Sequence, residues 1–198
     1  MENSLTISIF PEAVLHICKV NVNKNEILNY IKNNNFIKIN GGKNCYMSSN
    51  DYVLNDLNNL KQEIQKHVEN YLSNIMQYKM NFKFVKSWLT KIEPKGYSSK
   101  HRHCNSFLSG VYYPESNKNF NICFYKKNNF WEVLSKNFND FNAKNYKLSI
   151  SEDNFLILFP SDLKHSIDTN ESNVDRYSLA FNINPCGYIG EADSKIFF

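Results

Sequence analysis

The longest regular pattern of apolar positions is Val53, Leu57, Leu60, Ile64, Val68, Tyr71 and Ile75, spaced by four and by three. That period places them on one side of a helix and predicts a helix from about Asp51 to Tyr78. Lys61, Glu63, Lys66 and Glu69 fall on the other face, an ordinary solvated surface. Asn50 or Asp51 can cap the start, because a side-chain oxygen satisfies free backbone N–H groups there. Such a stripe needs a flat apolar partner, and a sheet is expected. Upstream, Ile27, Leu28 and Ile31 predict a short helix over Asn25–Asn33, followed by a polar loop at Gly41-Gly42. Residues 5–20 read as two short strands about a turn at Pro11.

After Asn81 the pattern changes to short runs rich in β-branched and aromatic residues. They are Asn81–Ile92, Phe107–Tyr113, Phe120–Tyr125, Tyr146–Ile150, Asn154–Phe159, His165–Thr169 and Arg176–Asn184. Turn-forming stretches separate them, among them Pro94-Lys95-Gly96, Pro114-Glu115-Ser116-Asn117, Ser151-Glu152-Asp153 and Pro160-Ser161-Asp162. Short strands at this spacing predict a sandwich or barrel. Residues 127–145 form a polar, aromatic-dotted insertion, expected as a loop over the barrel mouth.

Composition narrows the function classes. The chain has 198 residues, enough to bury a core without disulfide staples. Its net charge of +4 is spread out, with no basic run, so nucleic-acid binding is not expected. The five cysteines (18, 45, 104, 123 and 186) form no CxxC, which suits a reducing cytoplasm. No basic leader with an apolar run and no stretch of 18 apolar residues occurs, so export and membrane insertion are not expected.

Three of the five histidines form a pattern. His101 and His103 are two apart, so on a strand both imidazoles share a face and can meet one metal. His165 follows the Phe159-Pro160-Ser161-Asp162 turn, and Arg176 opens the apolar strand that follows. An arginine entering an apolar strand is costly unless it meets an anion. Ser178 lies on the same face as Arg176.

These residues resemble the iron(II)- and 2-oxoglutarate-dependent oxygenases, and among them a prolyl-hydroxylase-like branch of bacteria and phages. The resemblance rests on Ser87-Trp88-Leu89, Gly96, His101-Arg102-His103-Cys104-Asn105-Ser106, Ser109-Gly110-Val111-Tyr112-Tyr113, Phe159-Pro160-Ser161, His165 and Arg176-Tyr177-Ser178-Leu179-Ala180-Phe181-Asn182. Ile9-Phe10-Pro11 and the long helix before the Trp strand match its layout as well, so the likeness covers nearly the whole chain.

It implies a mainly β, α+β fold: a double-stranded β-helix (jelly roll, cupin-like) with the long N-terminal-half helix packed on the sheet. One domain, 1–198, is expected, with 1–80 as helix-containing support, 81–185 as jelly-roll core and 186–198 as tail. It further implies Fe(II) held by His101, His103 and His165, with 2-oxoglutarate as co-substrate and ascorbate as a stimulant. Arg176 would clamp the far carboxylate of 2-oxoglutarate with Ser178 in support, and Tyr112 or Tyr113 would line the pocket, alternation allowing only one of the two. The implied reaction is hydroxylation by dioxygen of a peptidyl or free amino acid or a small metabolite.

The family's usual carboxylate ligand is replaced here by His103, and Asn105 is the other neighbour that can take part. A homodimer is open. Specificity is expected in residues 41–50, 95–100 and 127–145.

Plainer readings stand beside these. A non-redox metal protein on the same barrel would keep the histidines but leave Arg176 and Ser178 without purpose. A binding module would make the histidines structural. Arg176 can also be a surface residue pairing with Asp175 or Glu171. Cys104 can offer a thiolate, Ser109-Gly110 reads as packing and Trp88 as core. His16 and His67 are given no role.

Overall fold

The computed structural model describes residues 13–126 and 145–198, with backbone alone for 117–120. The strand expected before Pro11 and nearly all of the 127–145 insertion lie outside these residues. Strand β1 (His16–Lys19) precedes helix α1 (Lys24–Lys32), whose start Asn23 caps by accepting a bond from the Asn25 N–H. Ile27, Leu28 and Ile31 are its buried residues, as the period requires.

Strands β2 (Phe36–Lys38) and β3 (Gly42–Ser48) form a hairpin where a loop was expected. Gly42 belongs to β3 because it lies against β4 (Asn81–His101): a Cβ there would stand 2.0 Å from the Tyr97 carbonyl oxygen.

The long helix is interrupted. A 3₁₀ turn, Val53–Asn55, leads to α2 (Asn58–Asn70) and then to a π-helical turn, Tyr71–Ile75. Asn50 does not cap the helix; its side chain accepts from Tyr52 N–H, while the Asp51 carbonyl accepts from Ser87 N–H of β4. Tertiary pairing thus displaces the helix start by about two turns. The stripe from Val53 to Tyr71 is buried, but Ile75 is exposed beyond the wider turn.

The remaining strands are β5 (Leu108–Tyr113), β6 (Asn117–Tyr125), β7 (Asn145–Ile150), β8 (Phe155–Pro160), β9 (Lys164–Ile167), β10 (Arg176–Cys186), β11 (Tyr188–Ile189) and β12 (Ile196–Phe197). Among the described residues, one antiparallel sheet runs β1-β8-β5-β10-β4-β9-β6-β7, with the β2–β3 hairpin added at β4. It curls into the jelly-roll half-barrel expected, and β4 makes the corner. Its first half pairs β10, its second half pairs β9, and the bend falls at Pro94-Lys95-Gly96, where Lys95 has φ 61°. The turn expected there is a kink inside one continuous strand.

Two apolar clusters lie on either side of the sheet. Along β8, Leu156 and Leu158 join the helices, whereas Phe155, Ile157 and Phe159 fill the barrel interior. β10 alternates likewise: Leu179, Phe181 and Ile183 pack toward the helices, leaving Arg176, Ser178, Ala180 and Asn182 on the inner face.

Candidate active site

The inner face of β10 is opposed by the end of β4 and by β9. His101 ends β4 and is the cross-strand partner of His165 on β9. His103 lies just past β4, where its N–H donates to the Ser161 carbonyl at 2.9 Å. The rings converge: centroids are 4.4 Å apart for His101 and His165, 5.1 Å for His103 and His165, and 5.4 Å for His101 and His103. One ligand atom from each lies within 4.8 Å of the others.

Each ring is oriented through its Nδ1. That of His101 bonds the Ser99 carbonyl at 2.7 Å, that of His103 the Asn182 Oδ1 at 2.7 Å, and that of His165 the Leu163 carbonyl at 3.0 Å. Oxygen acceptors on all three require the proton on Nδ1, which leaves the Nε2 lone pairs for a cation. Burial, and then the charge of His101, pushes the His165 pKa down to about 3; burial also lowers that of His103. Both are therefore neutral near pH 7, the state a metal ligand needs. The donor set fits Fe(II): three imidazoles on one side leave positions open on the other.

Arg176 lines the same cavity and is 6% exposed. Its guanidinium stacks 4.7 Å from the centre of the Tyr113 ring. Burial lowers its pKa, the sign of a cation held away from water. Asp175 and Glu171 are bound elsewhere, to Lys91 and Lys95. Ser178, two residues on, also lines the cavity. An inward guanidinium with a hydroxyl beside it suits the far end of a dicarboxylate.

Alternation decides between the two tyrosines. Tyr113 lines the cavity. Tyr112 faces the helices instead, where its hydroxyl donates to Asn154 Oδ1 at 2.6 Å, so it is placed away from the cofactor position expected for it. Asn105 is an exposed turn residue with φ 59°, and it does not line the cavity, so the third nitrogen comes from His103. Cys104 is exposed and outside the triad.

Other participants had been given no role of their own at the site. Asn182 Oδ1 also accepts from Ser109 Oγ at 2.8 Å, and Ser109 Oγ meets Ser161 Oγ at 2.8 Å. Ser109 therefore supports His103 rather than serving packing alone. The face it shares with Asn182, read by alternation, was the available signal. Trp88 stands 5.4 Å from the His103 ring as part of the cavity wall. Two segments expected as specificity loops contribute wall positions from strands: Cys45 on β3 and Ser98 on β4.

Residues 86–182 match the family model described as "Putative 2OG-Fe(II) oxygenase". That segment holds the three histidines, Arg176 and Asn182.

Over that segment, just under half of the chain, the protein matches the Fe(II)- and 2-oxoglutarate-dependent oxygenases.

No curated protein sequence matches the chain. Solved structures agree in fold. HygX from Streptomyces hygroscopicus, with nickel, 2-oxoglutarate and hygromycin B bound, superposes with a TM-score of 0.63 at 9% identity, over 88% of this oxygenase and 84% of HygX. A Trichoplax adhaerens prolyl hydroxylase in complex with a hypoxia inducible factor peptide fragment gives 0.60 at 12%, over 85% and 82%. A Pseudomonas putida prolyl-4-hydroxylase gives 0.52 at 9%, over 85% and 91%. The oxygenase uses Fe(II) and 2-oxoglutarate. No helix among its described residues is long and apolar enough to cross a membrane.

Proposed function

We propose that this 2-oxoglutarate-dependent dioxygenase hydroxylates a C–H bond of an amino-acid-type substrate, peptidyl before free, with a small metabolite as the other class. His101, His103 and His165 would hold the iron, and Arg176, with Ser178 and Tyr113, would hold 2-oxoglutarate. The carrying observation is the convergence of three Nδ1-anchored imidazoles and a buried guanidinium on one cavity.

Bound there, Fe(II) supplies the coupling of 2-oxoglutarate and dioxygen to succinate, carbon dioxide and a hydroxylated substrate. The protein's part is to position and to exclude water. Two charge-assisted bonds from Arg176 would contribute about 1.5–3 kcal/mol each, and Ser178 can donate a third. Asn182, Ser99 and Leu163 keep each imidazole in the tautomer that presents Nε2. Trp88, Ile122 and Ile167 make the wall apolar, which suits a C–H-bearing group better than a charged one. The peptide reading draws support from the Trichoplax complex.

We also read 1–198 as one domain, with 1–80 supporting the 81–185 barrel. A cytoplasmic setting is supported by five free cysteines. Substrate and dioxygen are the partners assigned, without nucleic acid, and a homodimer is compatible with this reading.

Anaerobic titration with Fe(II) and then 2-oxoglutarate tests the site. A weak visible band on chelation is expected, followed under air by succinate release and a gain of one oxygen in peptides from a proline-containing panel. Tightly held zinc with no 2-oxoglutarate binding would instead establish a non-redox metal protein.

A further inference from the structure

A second cluster of metal-ligating side chains lies away from the barrel interior. His16 and Cys18 sit two apart on β1 and so share a face, the one their register partners Leu158 and Leu156 turn toward the helices. His67 reaches the same place from α2, its ring centroid 6.0 Å from that of His16. One ligand atom from each of the three falls within 4.8 Å of the others, as in the active-site triad.

We propose that His16, Cys18 and His67 form a second cation site, taking a borderline divalent ion of the zinc type through two imidazole nitrogens and one thiolate.

The chemistry of the set supports this. Two imidazoles with one thiolate match the preferences of zinc and leave a fourth position for water. Tetrahedral bonds of about 2.0–2.3 Å separate neighbouring ligand atoms by roughly 3.5 Å, so closing the present spacing needs only rotamer-scale movement. His16 Nε2 is buried with no hydrogen-bond partner among the described residues, a cost that a bound cation would remove. The His67 ring faces His16, and its proximity adds to burial in lowering the His16 pKa. Burial pushes the Cys18 thiol up to about 11, so the thiol carries its proton until an ion displaces it. Binding therefore forms one metal–sulfur bond, breaks one S–H bond and releases one proton to solvent.

Placement supplies a purpose. β1 is a four-residue edge strand whose only ladder partner among the described residues is β8. An ion shared with α2 would pin that edge to the helical layer, where Tyr71 already donates to the Val14 carbonyl at 3.0 Å.

Anaerobic titration of the chelator-treated full chain with Co(II) separates the two sites, because the active-site triad is all nitrogen whereas this one includes a thiolate. Wild type should bind two equivalents and show a near-ultraviolet thiolate-to-cobalt charge-transfer band. Cys18→Ser should lose the band and one equivalent. His101→Ala should keep the band while losing the other equivalent, so a failure of the active-site reading is scored separately. His67→Ala, which removes one half-buried ring, should weaken the band's titration and provides the same reading if Cys18→Ser does not fold. Absence of the band in wild type, or its persistence in Cys18→Ser or undiminished in His67→Ala, would overturn the proposal.

Discussion

His103 donates its Nδ1 proton to the Oδ1 of Asn182 across 2.7 Å, joining the turn after β4 to the inner face of β10. The acceptor selects the tautomer and fixes the ring. Asn182→Ala should therefore lower Fe(II) or Co(II) affinity by about ten- to a hundredfold. Asn182→Asp, which keeps an oxygen acceptor, should recover most of it. Metal titration on folded variants checks this, and equal affinity in the alanine variant would remove Asn182 from the site.

Arg176 stacks on the Tyr113 ring in the wall of the cavity that the three imidazoles also line. Arg176→Ala should raise the KM for 2-oxoglutarate by about a hundredfold or more, since two charge-assisted hydrogen bonds of about 1.5–3 kcal/mol each are lost. Metal affinity should be unchanged. Arg176→Lys should recover only part, since an ammonium cannot make the two parallel bonds. Unaltered 2-oxoglutarate binding in the alanine variant would refute the clamp.

Adjacent tyrosines should respond in opposite ways. Tyr112→Phe removes the bond to Asn154, which itself donates to the Val22 carbonyl at 3.0 Å. It should cost about 1 kcal/mol of stability and leave the KM for 2-oxoglutarate alone. Tyr113→Phe should raise that KM with little change in Tm. Denaturation and steady-state kinetics on the pair give the comparison, and an exchanged pattern would reverse the facing assigned to β5.

Gly110 has no room for a side chain. A Cβ there would stand 2.1 Å from Phe181 Cζ, in the layer between β5 and the helices. Gly110→Ala should lose about 1–3 kcal/mol by overpacking, and Phe181→Leu should restore part of that loss in the double variant. Additive losses in denaturant titrations would contradict the contact.

Asn170 ties the approach to Arg176 onto the bend of β4. Its amide donates to the carbonyls of Ile92 at 3.1 Å and Val174 at 2.9 Å, and its Oδ1 accepts from the Ser172 hydroxyl at 2.6 Å. Asn170→Ala should cost about 1–2 kcal/mol, because the Ile92 carbonyl loses its side-chain donor in a buried place, while the Val174 carbonyl keeps the Ser172 hydroxyl at 3.1 Å. It should also raise the KM for 2-oxoglutarate with kcat nearly unchanged. A stability loss with no KM effect would make Asn170 structural only.

Much of this was written in local pattern. Three- and four-residue steps marked the buried face of α1 and α2, and alternation along Arg176–Asn184 put the arginine, the serine and Asn182 on one face. The types themselves, two histidines two apart and an arginine opening an apolar strand, named the chemistry. Long-range pairing decided the rest. The β4 bend lets one strand serve two partners, which makes His101 and His165 cross-strand neighbours. The Asp51–Ser87 bond cut short a helix that periodicity alone would have continued. Orientation at Tyr112 and Tyr113 depended on which side of β5 the helices came to cover. Spacing along a chain specifies which side chains share a face, but which faces meet is a property of packed elements, where register and burial act between residues far apart in sequence.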